Sequence, residues 1–491
     1  MADLSTVIER TLTEELLPTI ESKRVAADKV YPRIKSTSMG VQRDKQGRGH
    51  KVIKTFSIGV AGGAKFRSLM TSPVVSGPNN FNAYGDPNGY PTIGEVTAPS
   101  FFYLETSLIE HVGNIFIPGD FMRTDQYSAS IGSVIAKNMQ GVAELVNSQE
   151  CAMFYTNDTY RSLGDIGDTS ATVTNGSDTS SVVVNLAGTN ASGRIHRLRP
   201  GMLVDLYKSD GTVKRNSGWL LAIDDVDVLN TKVTLRRVDG SEFQTTTTLN
   251  GGTTFGGSGS DDDILVIKDS ISLGANGLNT WIVDSGTLFG LTLANKSLFK
   301  SYKPASESAV LSESRLNARY YKFYEAYPDK HLDTAITTMG ALLGLIDNLD
   351  NGAAGQGSTN SARFRYDRNG EKVKPELGFM GFNYGFGDRD INIVTSTWVT
   401  EGEWYGVQLA NNNLKRYIPP ALPGAGYNSE IGNELEFIAP TMGSKNIFLP
   451  ALLPNSAVTD FVQAPFRRQW QVLPDDPVSM KLTGITPITV P

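Results

Sequence analysis

The chain of 491 residues has a single cysteine, Cys151, so no disulfide can form within it. Folding must rest on burial and backbone pairing, the usual condition in a reducing cytoplasm. Histidine is scarce: His50, His111, His196 and His331 are the only four, and their spacing is not that of metal ligands. No apolar run approaches the ~18 residues of a membrane-spanning helix. The start, MADLSTVIER, carries acids and no apolar stretch, so no secretory leader is expected. A basic excess is also missing. The 45 Lys and Arg stand against 51 Asp and Glu, a net charge of −6, which argues against a general polyanion-binding surface.

Catalytic signatures are equally sparse. GVAGGAKF (59–66) lacks the hydroxyl residue that follows the lysine of a phosphate loop, and GGSGS (256–260) lacks the final glycine of a nucleophile elbow. Asp261 to Asp263 lack the spacing of an EF-hand loop and read as solvated loop charge. Glu401 and Glu403 share a strand face in this reading, without the marks of a glycosidase pair. Tyr320, Tyr321, Phe323 and Tyr324 read as core aromatics, His111 and His196 as polar surface or satisfied core, and Cys151 as a buried inert thiol. No catalytic residue, cofactor or metal is expected.

What the chain does have is a contrast. Its 49 glycines and 23 prolines favour turns and extended loops. Against that background SASIGSVIAKNMQGVAELVNSQECAMFYTND (128–158) reads as one uninterrupted helix. Ile131, Ile135, Met139, Val142, Val146 and Met153 form one apolar stripe, while Asn138, Glu144, Asn147 and Glu150 fall mostly off it. Some 28 residues make a rod of roughly 40 Å. Gly132 and Gly141 each cost about 1 kcal/mol relative to alanine, so packing against a sheet is expected to hold the rod.

Before it, Thr6 and Glu9 match a capping box, and Ile8, Leu12 and Leu16 share a helix face. Residues 51–100 open strand-like and then become Gly-, Pro- and Asn-rich, yet carry Phe66, Phe81, Tyr84 and Tyr90. A loop this long in a compact protein is either disordered or functional, and disordered segments are usually poor in aromatics; these aromatics are expected to pack on another subunit. Residues 164–192 read as a Ser/Thr/Gly/Asn-rich connector. A β module at 194–271 follows, with turns at Asp210-Gly211 and Asp239-Gly240. LDTAITTMGALLGLIDNLDN (332–351) reads as helical, with Ala335, Met339, Leu342 and Ile346 on one face, and Asn369-Gly370 as a hairpin turn. Proline-punctuated strands run to the end.

This order of parts resembles the major capsid protein of tailed bacteriophages, the Hong Kong 97-type fold. IGSVIAKNMQGVAELVNSQECAMFY is similar to that family's spine helix, LGANGLNTWIVDSGTLFGLTLANKSLFKSYKP to the entry into its axial domain, and KPELGFMGFNYGFGDRDINIVTS to its later strands. The resemblance implies an α+β fold: residues 1–50 a helical arm, 51–100 the extended loop, 101–163 a peripheral domain with the spine helix. It further implies 164–275 as a β-barrel-like insertion domain with tethers, 276–438 as the axial domain, and 439–491 as a return to the peripheral domain.

By the same resemblance the chain would self-assemble into hexamers and pentamers of an icosahedral head, in the host bacterial cytoplasm, and enclose packaged DNA without reading its sequence. Scaffolding, portal and decoration proteins would be its partners, and no membrane. Intersubunit contacts would fall on Lys65, Phe66, Phe81, Tyr84 and Tyr90. Some members bond a loop lysine covalently to a neighbour; Lys65, the only lysine between Lys54 and Lys137, would be that residue. Some also lose an N-terminal segment, which is not expected here. The alternatives are the shell of a bacterial cargo nanocompartment, another phage structural protein, or an unrecognised hydrolase or lectin.

Overall fold

A computed structural model describes residues 28–43, 50–57, 101–118, 128–155, 162–166, 181–187, 195, 197–208, 210–216, 219–240, 263–271, 276–289, 291–294, 299–351, 382–386, 389–410, 413–420, 435–437, 449–452 and 458–487. Thr6 and Glu9, the Asn369-Gly370 turn and the five expected contact residues, Lys65, Phe66, Phe81, Tyr84 and Tyr90, lie outside the described residues.

After a single 3-10 turn at Tyr31–Arg33 come β1 (Lys35–Thr37), β2 (Val41–Arg43), β3 (His50–Ser57), β4 (Phe101–Ser107) and β5 (Ile109–Pro118). β3 and β4 pair antiparallel from Lys51 opposite Ser107 to Ser57 opposite Phe101. Ser57 and Phe101, the residues that flank 58–100, are therefore register partners at one end of this two-stranded base. β2 extends that base to three strands.

The rod follows as α1 (Ser128–Phe154), 27 residues long. Of the stripe, Met139, Val146 and Met153 are buried and Val142 is half-buried, while the side chains of Ile131 and Ile135 lie outside the described ones. Its last two turns are buried all round, however: Asn147, Ser148, Gln149 and Glu150 are inside as well.

Six strands then close into a barrel: β6 (Ser162–Ile166), β7 (Ser181–Ala187), β8 (Leu203–Tyr207), β9 (Leu221–Asp227), β10 (Lys232–Arg237) and β11 (Asp263–Ile267), in the order β10-β7-β6-β11-β8-β9. The segment expected to be a connector, 164–192, supplies β6 in part and all of β7. Val182, Val184 and Leu186 alternate into the barrel core, and this short run outweighs the polar composition around it. The Asp210-Gly211 and Asp239-Gly240 turns are present, each glycine at positive φ.

The next region carries α2 (Leu278–Trp281), the hairpin β12 (Thr287–Leu288) and β13 (Leu291–Thr292), α3 (Glu313–Ala326), β14 (Thr334–Thr337) and α4 (Met339–Asn351). The helix expected from 332 onward begins only at Met339. Its first part is instead a fully buried strand, Thr-Ala-Ile-Thr, held between two partners, so Ala335 belongs to the sheet and Met339 is half-exposed at the helix start. Here β-branched residues at a central strand position prevail over an apparent 3.6-residue period.

The chain continues through β15 (Phe382–Phe386), β16 (Arg389–Thr395), β17 (Trp404–Val407), β18 (Leu414–Tyr417), β19 (Leu435–Phe437), β20 (Leu449–Leu452), β21 (Val458–Pro474) and β22 (Met480–Leu482). One sheet runs β15-β16-β14-β17-β22. Another is organised on the 17-residue β21, which pairs with β5 over ten positions, from Phe461 opposite Pro118 to Trp470 opposite Ile109, and also with β18, β19 and β20. The chain after β21 crosses to the first of these sheets, where β22 pairs with β17. The fold is α+β. One hydrophobic cluster runs from the end of α1 through the barrel to β21, and a second lies between α3, α4 and the β15–β22 sheet.

Candidate assembly framework and its buried polar joints

Three buried polar joints fasten these parts. The first ties the rod to its sheet. Glu150 of α1 forms an ion pair with Arg468 of β21, both side chains fully buried, and Tyr31 donates to the same carboxylate at 3.2 Å. The preceding residue, Gln149, is 2.5 Å from Nε2 of His111, which stands opposite Arg468 in the β5–β21 register. Burial lowers the pKa of His111, against the pull of Glu150.

The second joint lies at the C-terminal end of α1. Asp28 accepts from the backbone of Val30 and Tyr31, from the Tyr155 hydroxyl at 2.9 Å and from Ser396 at 2.8 Å. Burial, with the Asp28 carboxylate alongside, drives the Tyr155 pKa far above its ordinary value, so the hydroxyl stays a donor. Arg197, fully buried just ahead of β8, donates to the carbonyls of Tyr155 (2.9 Å) and Trp398 (3.0 Å) and to Thr400 (2.9 Å). A helix leaves its last carbonyls without partners and presents a partial negative charge there. The guanidinium meets that charge and binds rod, barrel entry and the 396–400 loop together.

The third joint joins β17, β22 and α2. Glu403 accepts from Lys481 (2.8 Å) and from Tyr405 (2.6 Å), and Lys481 also reaches the side-chain oxygen of Asn279 at 2.7 Å.

The sequence candidates fall as follows. Cys151 is a buried thiol in the core. Tyr320 and Phe323 are core residues of α3, and Tyr321 is exposed. His50 bonds Gln469, His331 is exposed, and His196 lies outside the described residues. Asp263, read as solvated loop charge, is instead buried in β11 and paired with Arg215 at 3.1 Å; the strand begins one residue sooner than the acidic run suggests. Glu401 and Glu403 do not share a strand face, because Gly402 turns the chain at φ +81° between them. Glu401 accepts from Thr338, and Glu403 enters the third joint. Asp28, Glu150, Arg197 and Arg468 do not stand out as joint residues by sequence reasoning. A carboxylate or guanidinium within an otherwise apolar stretch was the only available signal. Among the described residues no group of three or more His, Cys, Asp or Glu gathers as a metal site, and no helix is long and apolar enough to cross a membrane.

No family model matches the chain, and no curated protein does. Among solved structures, it is similar to the cyanophage A-1(L) capsid asymmetric unit, at 12% identity over 94% of this chain and 93% of that one, with a TM-score of 0.39. It is similar to a structure of Mycobacterium phage Patience at 9% identity over 100% of this chain and 91% of that one, with a TM-score of 0.35. A shorter likeness is to the holo-SrpI encapsulin complex from Synechococcus elongatus, at 9% identity over 39% of this chain and 55% of that one, TM-score 0.21.

Proposed function

We propose that the chain is the major capsid protein of a tailed phage, a Hong Kong 97-type shell subunit that assembles into hexamers and pentamers around packaged double-stranded DNA. The observation that carries this reading is the arrangement of three parts. β3 and β4 pair to their ends, Ser57 opposite Phe101, so the two residues flanking 58–100 lie side by side. Ten-position pairing of β5 with β21 makes a long ribbon. The 27-residue α1 is pinned to that ribbon through Glu150 and Arg468. A thin wall under internal pressure needs a stiff element fastened to a sheet and a projecting segment to overlap its neighbours. Heterologous contacts of that kind close into rings and then shells. Residues 58–100, with Lys65, Phe66, Phe81, Tyr84 and Tyr90, are the proposed overlap, and the barrel is an insertion carried on the shell. The role is structural rather than enzymatic, the place is the virion after assembly in the bacterial cytoplasm, and scaffolding, portal and decoration proteins are the proposed partners.

Electron microscopy of the protein expressed alone, and then with its neighbouring genes, tests the proposal. Closed shells, or rings of five and six, support it. A monodisperse monomer in both preparations overturns it, and closed shells holding an enzyme cargo in place of DNA turn the reading to a nanocompartment.

A further inference from the structure

The third joint contains more than an ion pair. Tyr405 and Lys481 are direct cross-strand partners of β17 and β22, and Glu403 precedes Tyr405 by two residues. The Lys481 amine lies over the Tyr405 ring, 5.1 Å from its centroid. It is 2.8 Å from a Glu403 oxygen and 2.7 Å from the Asn279 side-chain oxygen. The Tyr405 hydroxyl stands 2.6 Å from the other Glu403 oxygen and 3.3 Å from the Asn279 oxygen. Glu403 and Lys481 are both buried. The amine is therefore within hydrogen-bonding reach of both the carboxylate and the carboxamide, and the phenol spans the same two groups.

We propose that Lys481 and Asn279 form an intramolecular isopeptide bond, with Glu403 as the proton carrier. The Lys481 ammonium passes a proton to the Glu403 carboxylate. The neutral amine adds through its lone pair to Cγ of Asn279, one bond beyond the oxygen it already contacts. Exchanging the amide oxygen and nitrogen by a half-turn would leave that carbon in place. Tyr405 donates to the oxygen as negative charge develops there. Glu403 delivers the proton it holds to Nδ2, then takes up the second amine proton and ends as the neutral acid. The Cγ–Nδ2 bond breaks, ammonia leaves, and a secondary amide joins the two residues. Atoms and charge balance without an oxidant, a reductant or a co-reactant.

The surroundings favour each step. Burial pulls the Lys481 pKa down, with Lys303 and Arg197 adding to that and Glu403 opposing it, so the neutral amine is within reach. Burying two charges carries a desolvation penalty that pairing offsets only in part, and the reaction removes both, leaving a neutral amide beside a neutral Glu403 acid. The approach of the three groups is enforced by the fold, which supplies the effective concentration that a spontaneous amide exchange needs. The bond would tie α2 to β22, an edge strand of the β15–β22 sheet, across 202 residues of chain. It lies within one chain, so it leaves subunits separable on a denaturing gel.

The test is the mass of the full chain, purified folded, followed by proteolytic mapping. The expected result is a mass lower than the sequence by one ammonia, about 17 Da, and a branched peptide joining the segments of Asn279 and Lys481. Glu403→Gln and Asn279→Ala are each expected to restore the unmodified mass, and Asn279→Ala leaves the Lys481–Glu403 pair in place to preserve the fold. Recovery of Asn279 and Lys481 in ordinary linear peptides from the folded wild-type chain overturns the proposal whatever the variants do. The readout concerns one chain only, so it stands or falls independently of shell assembly.

Discussion

Gly113 of β5 faces Phe466 of β21 across the ladder, and the phenyl ring lies over the glycine so closely that a Cβ there would sit 2.4 Å from the ring's Cζ. A cross-strand aromatic lying on a glycine fills the space that a side chain would otherwise take. This pair sits in the middle of the ten-position ribbon that carries the rod.

Gly113→Val should therefore strain the ribbon at its centre. Forcing extra carbon into a filled site costs about 1–3 kcal/mol, and the ring must move or the strands must part. Thermal unfolding should show a lowered midpoint for Gly113→Val. Adding Phe466→Ala to that variant should recover part of the loss, because the new side chain then enters the vacated space. Unchanged stability of Gly113→Val would contradict the packing described.

Glu150 and Arg468 make a pair with neither side chain exposed. Removing one partner leaves a buried charge uncompensated, at a cost of roughly 3–5 kcal/mol. Glu150→Leu alone and Arg468→Leu alone should each be strongly destabilising in denaturant titration. The double variant should lie well above either single one, since two apolar side chains leave no stranded charge. Additive losses would show that the two residues do not act as a pair.

Much of the framework was legible in the sequence and the joints were not, for physical reasons. The rod is legible because Ile131, Ile135, Met139, Val142, Val146 and Met153 repeat at helical spacing over about six turns, and a long period averages out local noise. The two Asp-Gly turns were legible because positive φ selects glycine. β7 was hidden because five apolar residues sit inside a run of Ser, Thr, Gly and Asn. β14 was hidden because four residues are too few for a period of two to be told from one of 3.6. Glu150 falls off the apolar stripe and is nevertheless buried, because periodicity reports one partner surface. The last turns of α1 are instead enclosed by β5, β21 and the segment from Asp28 to Tyr31. The partner of Glu150 lies far along the chain, and nothing local encodes that meeting.

His111 should give the fold a pH dependence in the range where few other groups titrate. In the folded chain burial depresses its pKa, with the Arg468 charge adding to that and Glu150 and Gln149 opposing it. Unfolded, it titrates near its ordinary value of about 6.5. The unfolded chain thus binds the proton more readily, so the contribution of His111 is complete above that value and is lost as pH falls through it toward the depressed folded value. Stability measured from pH 7.5 down to 5.5 should decline in the wild type and decline less in His111→Gln. Parallel curves would exclude His111 as the source.

Because Ser57 and Phe101 close the base as register partners, residues 58–100 can be shortened without cutting the strands that anchor them. Deleting residues 77–89, which include Phe81 and Tyr84 and stop just short of Tyr90, should leave a folded subunit with near-wild-type thermal unfolding. Assembly should be severely reduced, read as the yield of sedimenting shells. Normal shells from this deletion would remove the segment from the proposed overlap.

Arg197 supplies the sharpest test of how the barrel is held. Its Nη2 donates to both the Tyr155 carbonyl and Thr400, and its Nε to the Trp398 carbonyl. A flat fork can serve acceptors on separate segments at once, whereas a lysine ammonium is a point donor on a flexible stem. Arg197→Met should cost about 2–4 kcal/mol, since hydrogen bonds to a charged group are worth about 1.5–3 kcal/mol each and do not add fully. Arg197→Lys should recover only part of that. The barrel itself should stay folded in both variants, because its own alternating core, Val182, Val184, Leu206, Leu235 and Leu265, does not depend on the guanidinium. Hydrogen exchange should then rise at the end of α1 and in the 396–400 loop while β8 to β10 remain protected. If the barrel amides lose protection together with the joint, Arg197 is part of the barrel's own fold rather than its fastening to the rod.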